Sequence, residues 1–383
     1  MISSEKTGVW SLEDVYLKAN EAYWTYESDN DPGQMYVFGR GLSGTMGINT
    51  DQSRSSPTQI PGTSWQDINL GLQHSLGLKS DNTLWSWGYN GQGTLGLNDR
   101  ANRSSPIQLP GTEWSSFGIT SYTTLATKTD GTLWAWGDGA YGCTGINDVA
   151  DISSPTQIPG TKWSKVVGGL DHVFALQNDG TAWSWGYNSY GELGINDTAN
   201  RSSPYQIPGT QWTNIGGGYR TAMGLKSDNT LWSWGRNGVG GQGVNDRTNR
   251  SSPIQIGGAQ WSSMADMYSY TYANFAFKSD GTMWGWGDGS YGTLGLNQQG
   301  AAGYRSSPTQ IPGTEWKTAA GGYSTAVFTK TDGTAFVTGG TNGYGEMDLN
   351  EATINRSSPT QIPGTQWDKA YANYANGGLR RKV

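Results

Sequence analysis

Short runs in which apolar and polar residues alternate recur along most of this chain, the signature of strands that bury one face. In residues 74–79 (HSLGLK), Leu76 and Leu78 share a face, and in 84–87 (LWSW), Trp85 and Trp87 sit two apart. Asp81-Asn82 separates these runs, and Asp130-Gly131, Asp179-Gly180 and Asp280-Gly281 stand at the equivalent place further along. Such dipeptides accept the positive φ of a tight hairpin turn, so each pair of runs is predicted to form a hairpin. Another run, 65–70 (WQDINL), comes first, and a last short strand is expected near Ile107 to Leu109, ahead of Pro110-Gly111. The unit therefore holds four short strands.

That unit repeats. Ser-Ser-Pro begins at Ser55, Ser104, Ser153, Ser202, Ser251, Ser306 and Ser357, in steps of 49, 49, 49, 49, 55 and 51 residues. Trp65, Trp114, Trp163, Trp212, Trp261, Trp316 and Trp367 form a parallel series. Residues 35–49 (MYVFGRGLSGTMGIN) align with 84–98 (LWSWGYNGQGTLGLN), so the pattern enters halfway through a unit near Pro32. Val383 lies as far past Trp367 as Asp81 lies past Trp65, so the missing half stands at the other end. Six whole units between two complementary halves imply a ring closed by pairing the two ends. The predicted fold is an all-β, seven-bladed β-propeller over residues 32–383. A solenoid would need distinct caps, and a sandwich has no reason to repeat at this period.

Residues 1–31 have no copy elsewhere and form a separate leader. Within it, residues 11–21 (SLEDVYLKANE) are the good helical candidate, with Ser11 as N-cap and Asp14 in capping-box spacing. Leu12, Val15, Tyr16 and Ala19 make its apolar stripe, and with Trp10 and Trp24 they form a candidate anchor. Such a short helix is marginal alone, so its stripe needs a surface on the body or on a partner.

Two units depart from the norm. The fifth carries extra residues in YSYTYANF and NQQGAAGYRSSP, giving a candidate interaction loop of Tyr268, Tyr270, Tyr272, Tyr291 and Tyr304. Insertions in repeat proteins map to loops, where binding concentrates, although the same rings could pack a sheet edge. The sixth has Phe336, Val337 and Thr338 where others have Trp-Ser-Trp.

The chemistry-bearing residues mostly belong to the repeat. His74 and His172 occupy equivalent positions in different units, which keeps them apart, and with the single Cys143 they cannot assemble a zinc set. The Asn-Asp pairs at Asn98, Asn147, Asn196 and Asn245 lack calcium-loop spacing and read as turn residues. Arg54, Arg103, Arg201, Arg250, Arg305 and Arg356 precede Ser-Ser-Pro and are expected to bond an adjacent blade or loop. GYNGQG at 88–93 lacks the lysine and hydroxyl of a phosphate loop. No catalytic residue, cofactor site or metal site is predicted, and the expected protein is not an enzyme.

Composition narrows the partners. The net charge of -6, without a basic run before the extreme C-terminus, argues against nucleic acid. No apolar stretch reaches transmembrane length, so membrane insertion is not expected, and no conventional secretory signal stands at the start. Glycine at 58 of 383 residues, with 19 tryptophans and 20 tyrosines, fits many turns between aromatic strands.

The unit W-x-x-[IV]-x-x-G-x-x-[HT]-x-x-x-L-x-x-D-[GN]-T-L-W-[SA]-W-G-x-N-x-x-G-x-L-G, met by residues 65–96 and 163–194, resembles the repeat of the regulator of chromosome condensation (RCC1) family. The resemblance implies a seven-bladed propeller closed by both termini. That family's eukaryotic founder exchanges guanine nucleotide on a small GTPase and binds chromatin, but no residue set for either carries over here. The segment TGVWSLEDVYLKANEAYW resembles the opening of structural proteins from marine bacteriophages. This second resemblance implies a virion component, tail-associated, joined to other virion proteins through the leader. The propeller would then face a host surface receptor or glycan. The alternative is a cytoplasmic RCC1-like regulator that binds another protein.

Overall fold

The computed structural model describes residues 33–258, 260–267, 271–340, 356–374 and 376–381. Among the described residues seven sheets form the blades, six of four antiparallel strands and one of five in which the added strand is parallel. Blade 1 takes Trp65–Leu70, His74–Lys79, Leu84–Gly88 and Arg103–Gln108 in that spatial order. Blades 2 to 6 begin their first strands at Trp114, Trp163, Trp212, Trp261 and Trp316. First strands of neighbouring blades pack on one another around a central bore, so they are innermost. Outer strands such as Arg103–Gln108 are half-buried or exposed.

The fourth strand corrects one expectation. It runs over Arg103–Gln108, not Ile107 to Leu109, so Ser-Ser-Pro lies within the strand. Pro106 is tolerated because this is the blade's edge, where a missing N–H costs the ladder little. The register also slips between Ser86 and Gly88, opposite this segment.

Blade 7 is built from both ends of the repeat. Trp367–Ala372 and Asn376–Arg381 are followed in space by Met35–Gly39 and Arg54–Gln59. Met35 faces Arg380 and Gly39 faces Asn376 across the antiparallel junction, with Leu379 fully buried. The expected closure is present.

A tryptophan latch explains the strict repeat. Trp65 meets Trp85 and Trp87 edge-on at 6.1 and 6.0 Å, and the Lys79 ammonium lies 4.8 and 4.4 Å over Trp65 and Trp85. Trp87 Nε1 then donates across the blade boundary to the Thr45 carbonyl at 2.9 Å. Trp136, Trp185, Trp234 and Trp286 repeat this bond to Thr94, Cys143, Glu192 and Gly241. Gly96, at φ +70°, runs so close that a Cβ would stand 2.7 Å from Trp136 Nε1. In blade 6, Thr338 replaces the tryptophan and its Oγ1 donates to the Thr293 carbonyl at 2.8 Å. The weakened unit keeps the latch with a smaller side chain.

Blade 5 differs at its inner edge. Its first strand stops at Met264, and Asp266–Met267 pairs in parallel with Ala320–Gly321 of blade 6. Among the described residues there is no α-helix, only three short 3₁₀ turns. The leader helix at 11–21 and the anchor residues Trp10, Leu12, Val15, Tyr16, Ala19 and Trp24 lie outside the described residues.

Candidate binding face

The loops joining first to second strands, with those joining third to fourth, emerge at one end of the ring. Among the described residues three tyrosines stand seven residues after an innermost tryptophan, Tyr219, Tyr323 and Tyr374, and Tyr268 has the same spacing from Trp261 in the sequence. Tyr219 stacks on Tyr272 at 4.3 Å, and Tyr272 meets Tyr323 edge-on at 5.4 Å. Tyr323 in turn stacks on Tyr374 at 5.0 Å and tilts against Tyr291 at 5.4 Å, with the two phenol oxygens 3.2 Å apart. On the other side, Arg220 lies 4.2 Å over Tyr187, which meets Tyr141 edge-on at 5.1 Å. The belt is continuous from blade 2 to blade 7.

One arginine organises its middle. Arg220 pairs at 3.4 Å with Glu192, whose side chain is fully buried, and lies 5.5 Å over both Tyr190 and Tyr219. Burial raises the Glu192 carboxyl pKa, against the backbone hydrogen bond from Tyr190 and the pull of Arg220. The hydrogen bond to Tyr291, with burial behind it, pushes the Tyr323 phenol up to about 12. Burial first, then Tyr219, raises the Tyr272 phenol further. These two phenols stay protonated, and a second guanidinium, Arg236, lies 5.4 Å over Tyr190, so the belt offers flat apolar rings with hydroxyls and two guanidinium groups.

Of the candidate loop, Tyr272 and Tyr291 come together through Tyr323. Tyr304 stands apart, under Arg247 at 5.6 Å. Tyr268 and Tyr270 lie outside the described residues. Sequence reading missed Tyr219, Tyr323, Tyr374, Tyr187 and Arg220; the shared spacing of the first three from their tryptophans was the signal for them.

The repeat residues have structural roles. His74 and His172 begin the second strands of blades 1 and 3, and burial lowers both to about 3. Thr124 Oγ1 donates to the Thr94 carbonyl, so it accepts from His74 Nε2–H at 2.8 Å and fixes that tautomer. Cys143 is buried, donates to the Asp171 carbonyl at 3.0 Å, and has its thiol pKa raised by burial. Where an ion pair forms, the arginines before Ser-Ser-Pro bond the adjoining loop, one of the two expected partners. Arg103 and Arg250 pair with Asp99 and Asp246 of their own loops at 2.7 and 2.6 Å, and Arg201 pairs likewise with Asp197. The reach is four residues back along the same loop, too short for a neighbouring blade. The bond between blades is made by the asparagine instead: Asn98 N donates to the Ser153 carbonyl at 2.8 Å. Among the described residues no group of three or more His, Cys, Asp or Glu could hold a metal.

At the opposite end the bore holds a polar cavity of about 470 Å³. Lys369 of blade 7 bridges Asp67 of blade 1 at 2.9 Å and Asp266 of blade 5 at 3.2 Å. Burial disfavours the Lys369 charge, but the two carboxylates outweigh it and raise its pKa. This network ties the closing blade to the ring.

The Regulator of chromosome condensation (RCC1) repeat profile matches residues 32–78, 81–120, 130–176, 179–225 and 280–328. The chain belongs to the RCC1 repeat family. A second RCC1 repeat profile matches residues 65–94 and 163–192. Prp20p from Saccharomyces cerevisiae, described with its binding properties to Gsp1p and histones, superimposes with a TM-score of 0.82 at 19% identity, covering 92% of each chain. Yeast RCC1 (Prp20) bound to Kap60 matches with a TM-score of 0.82 at 20% identity, over 95% of this chain and 92% of that one. Human WBSCR16 matches with a TM-score of 0.79 at 17% identity, over 92% and 99%. At these identities the likeness shows the fold. No curated protein sequence matches significantly.

Proposed function

We propose that this RCC1-like propeller is a non-enzymatic binding module of a bacteriophage particle, tail-associated, whose tyrosine belt takes a protein on the host surface. The observation that carries the binding role is the unbroken run of rings from Tyr141 to Tyr374, centred on Arg220. Aromatic and arginine side chains dominate the energetic centres of protein interfaces. Tyrosines already held by one another lose little freedom on binding. A relative described as binding Gsp1p and histones supports using this ring for recognition. What supports the virion is the leader, TGVWSLEDVYLKANEAYW, as the part that joins other virion proteins.

A second reading, a soluble regulator that binds a cellular protein, is favoured by those same relatives. Immunogold microscopy of native particles, with an antibody against residues 32–383, separates the two. Gold at a defined site on the tail supports the proposal. Unlabelled particles with the protein in the soluble cell fraction refute the virion role and leave the regulator.

A further inference from the structure

Seven turns lead from an outer strand into the next blade's innermost strand. Six read Pro-Gly-Thr, with prolines at 61, 110, 159, 208, 312 and 363; between blades 4 and 5 the sequence is Gly257-Gly258-Ala259. In five of the six regular copies the turn glycine has a neighbour within 3.4 Å of where a methyl would stand, and at Gly111 the nearest is Lys128 Nζ at 3.8 Å. A methyl built on Gly62 would stand 3.3 Å from Lys79 Nζ, on Gly209 3.2 Å from Lys226 Nζ, and on Gly160 3.3 Å from Trp163 Nε1. A methyl on Gly257 or Gly258 would meet nothing within 4 Å. The space is a cavity of about 420 Å³ whose lining includes Gly257, Trp261, Trp284, Lys278, Gln255 and Asn245. That volume falls within the range of small-molecule pockets, roughly 300–1,000 Å³.

The chemistry of the lining selects a ligand. The Lys278 ammonium lies 4.2 Å over Trp284 and 5.3 Å over Trp261, and no carboxylate lines the cavity. Lys278 makes no ion pair among the described residues; Asp280, just beyond it, takes its hydrogen bonds from Thr282. Trp261 Nε1 is buried with no hydrogen-bond partner, as are its equivalents in the other six blades, so the open turn beside it is what sets blade 5 apart. An ammonium beside a free indole N–H is a donor pair for a carboxylate. The side-chain amides of Gln255 and Asn245, exposed and without partners among the described residues, both donate and accept, as hydroxyl groups require. The half-buried indole of Trp284 offers an apolar plane.

We propose that this cavity binds a carboxylate-bearing saccharide, with a uronic acid residue seated between Lys278 and Trp261 Nε1. The site lies between blades 4 and 5, its lining includes none of the rings of the tyrosine belt, and it does not depend on them.

Calorimetric titration of the full chain tests this with glucuronate, glucose, acetate and oligogalacturonate. Gly257→Pro restores the residue of the six other turns. Gly257 has no positive φ, and its N–H donates no backbone hydrogen bond among the described residues. Glucuronate is expected to bind in the millimolar range, with glucose and acetate weaker by roughly tenfold. Gly257→Pro should abolish binding without lowering the thermal transition, and Lys278→Met should weaken it by roughly tenfold. Oligogalacturonate binding tighter than glucuronate would identify a uronate within a chain as the target; the reverse order would identify a free sugar acid. Absence of glucuronate binding, equal binding of acetate, or unchanged binding by a folded Gly257→Pro would overturn the proposal. Should that variant fail to fold, unchanged binding by Lys278→Met overturns it.

Discussion

Replacing His74 and His172 by threonine should remove an acid sensitivity written into the ring. Threonine already stands at the equivalent position in blades 2, 4 and 6, as Thr123, Thr221 and Thr325. Burial lowers both imidazoles to about 3 from 6.5, so in the folded state they stay neutral well into acid. The unfolded chain takes a proton at each below its ordinary pKa. Stability is therefore complete above pH ~6.5 and is lost as pH falls towards the folded value. At pH 5 the gap is about 1.5 units, worth about 2 kcal/mol for each histidine and about 4 kcal/mol for the pair. Urea unfolding at pH 7.5 and 5.0 reads this directly, because ordinary carboxylates have titrated little by then. The native chain should lose about 4 kcal/mol more than the double variant, with each single variant recovering half, since the sites lie in different blades. Equal losses in native chain and double variant would refute the reasoning.

At the ring closure, Leu379→Ala should cost about 3 kcal/mol, because the side chain is fully buried in the strand that joins the two ends. The midpoint of chemical denaturation checks it, and a change below about 1 kcal/mol would mean that closure does not hold the ring. In blade 6, Thr338→Val keeps the shape but leaves the Thr293 carbonyl without its 2.8 Å donor. A loss of about 1–2 kcal/mol is expected in the same measurement.

The blades were legible because their signals are local. Asp130-Gly131 marks a hairpin within a few residues, and Gly131 does take φ +80°. The tryptophan series then fixed the period, and the two half-units fixed the closure. The outer strand was misplaced because Pro106 looks like a strand terminator unless the strand is known to be an edge. The tyrosine belt was only half visible. Reading unit five by itself finds Tyr272 and Tyr291, but the partner that joins them, Tyr323, comes from unit six. Stacking between Tyr219 and Tyr272, 53 residues apart in sequence, exists only once two blades stand side by side. The choice between blade and loop as the arginines' partner stayed open for a similar reason. Arg103 finds Asp99 four residues away because the loop folds back on itself, which composition does not reveal.

The central claim is that the tyrosine end of the ring is the binding surface. It is tested most directly by adsorption of the purified full chain to host cells, comparing two triple variants. Tyr219→Ala, Tyr272→Ala and Tyr323→Ala together remove the belt. Glu113→Gly, Gln211→Gly and Glu315→Gly change exposed positive-φ turns at the opposite end, where glycine is at ease. The account predicts that the first variant loses adsorption by roughly a hundredfold, as expected for hot-spot residues, while the second binds like the native chain. Native-like adsorption by a folded tyrosine variant, or loss confined to the opposite-end variant, would contradict it.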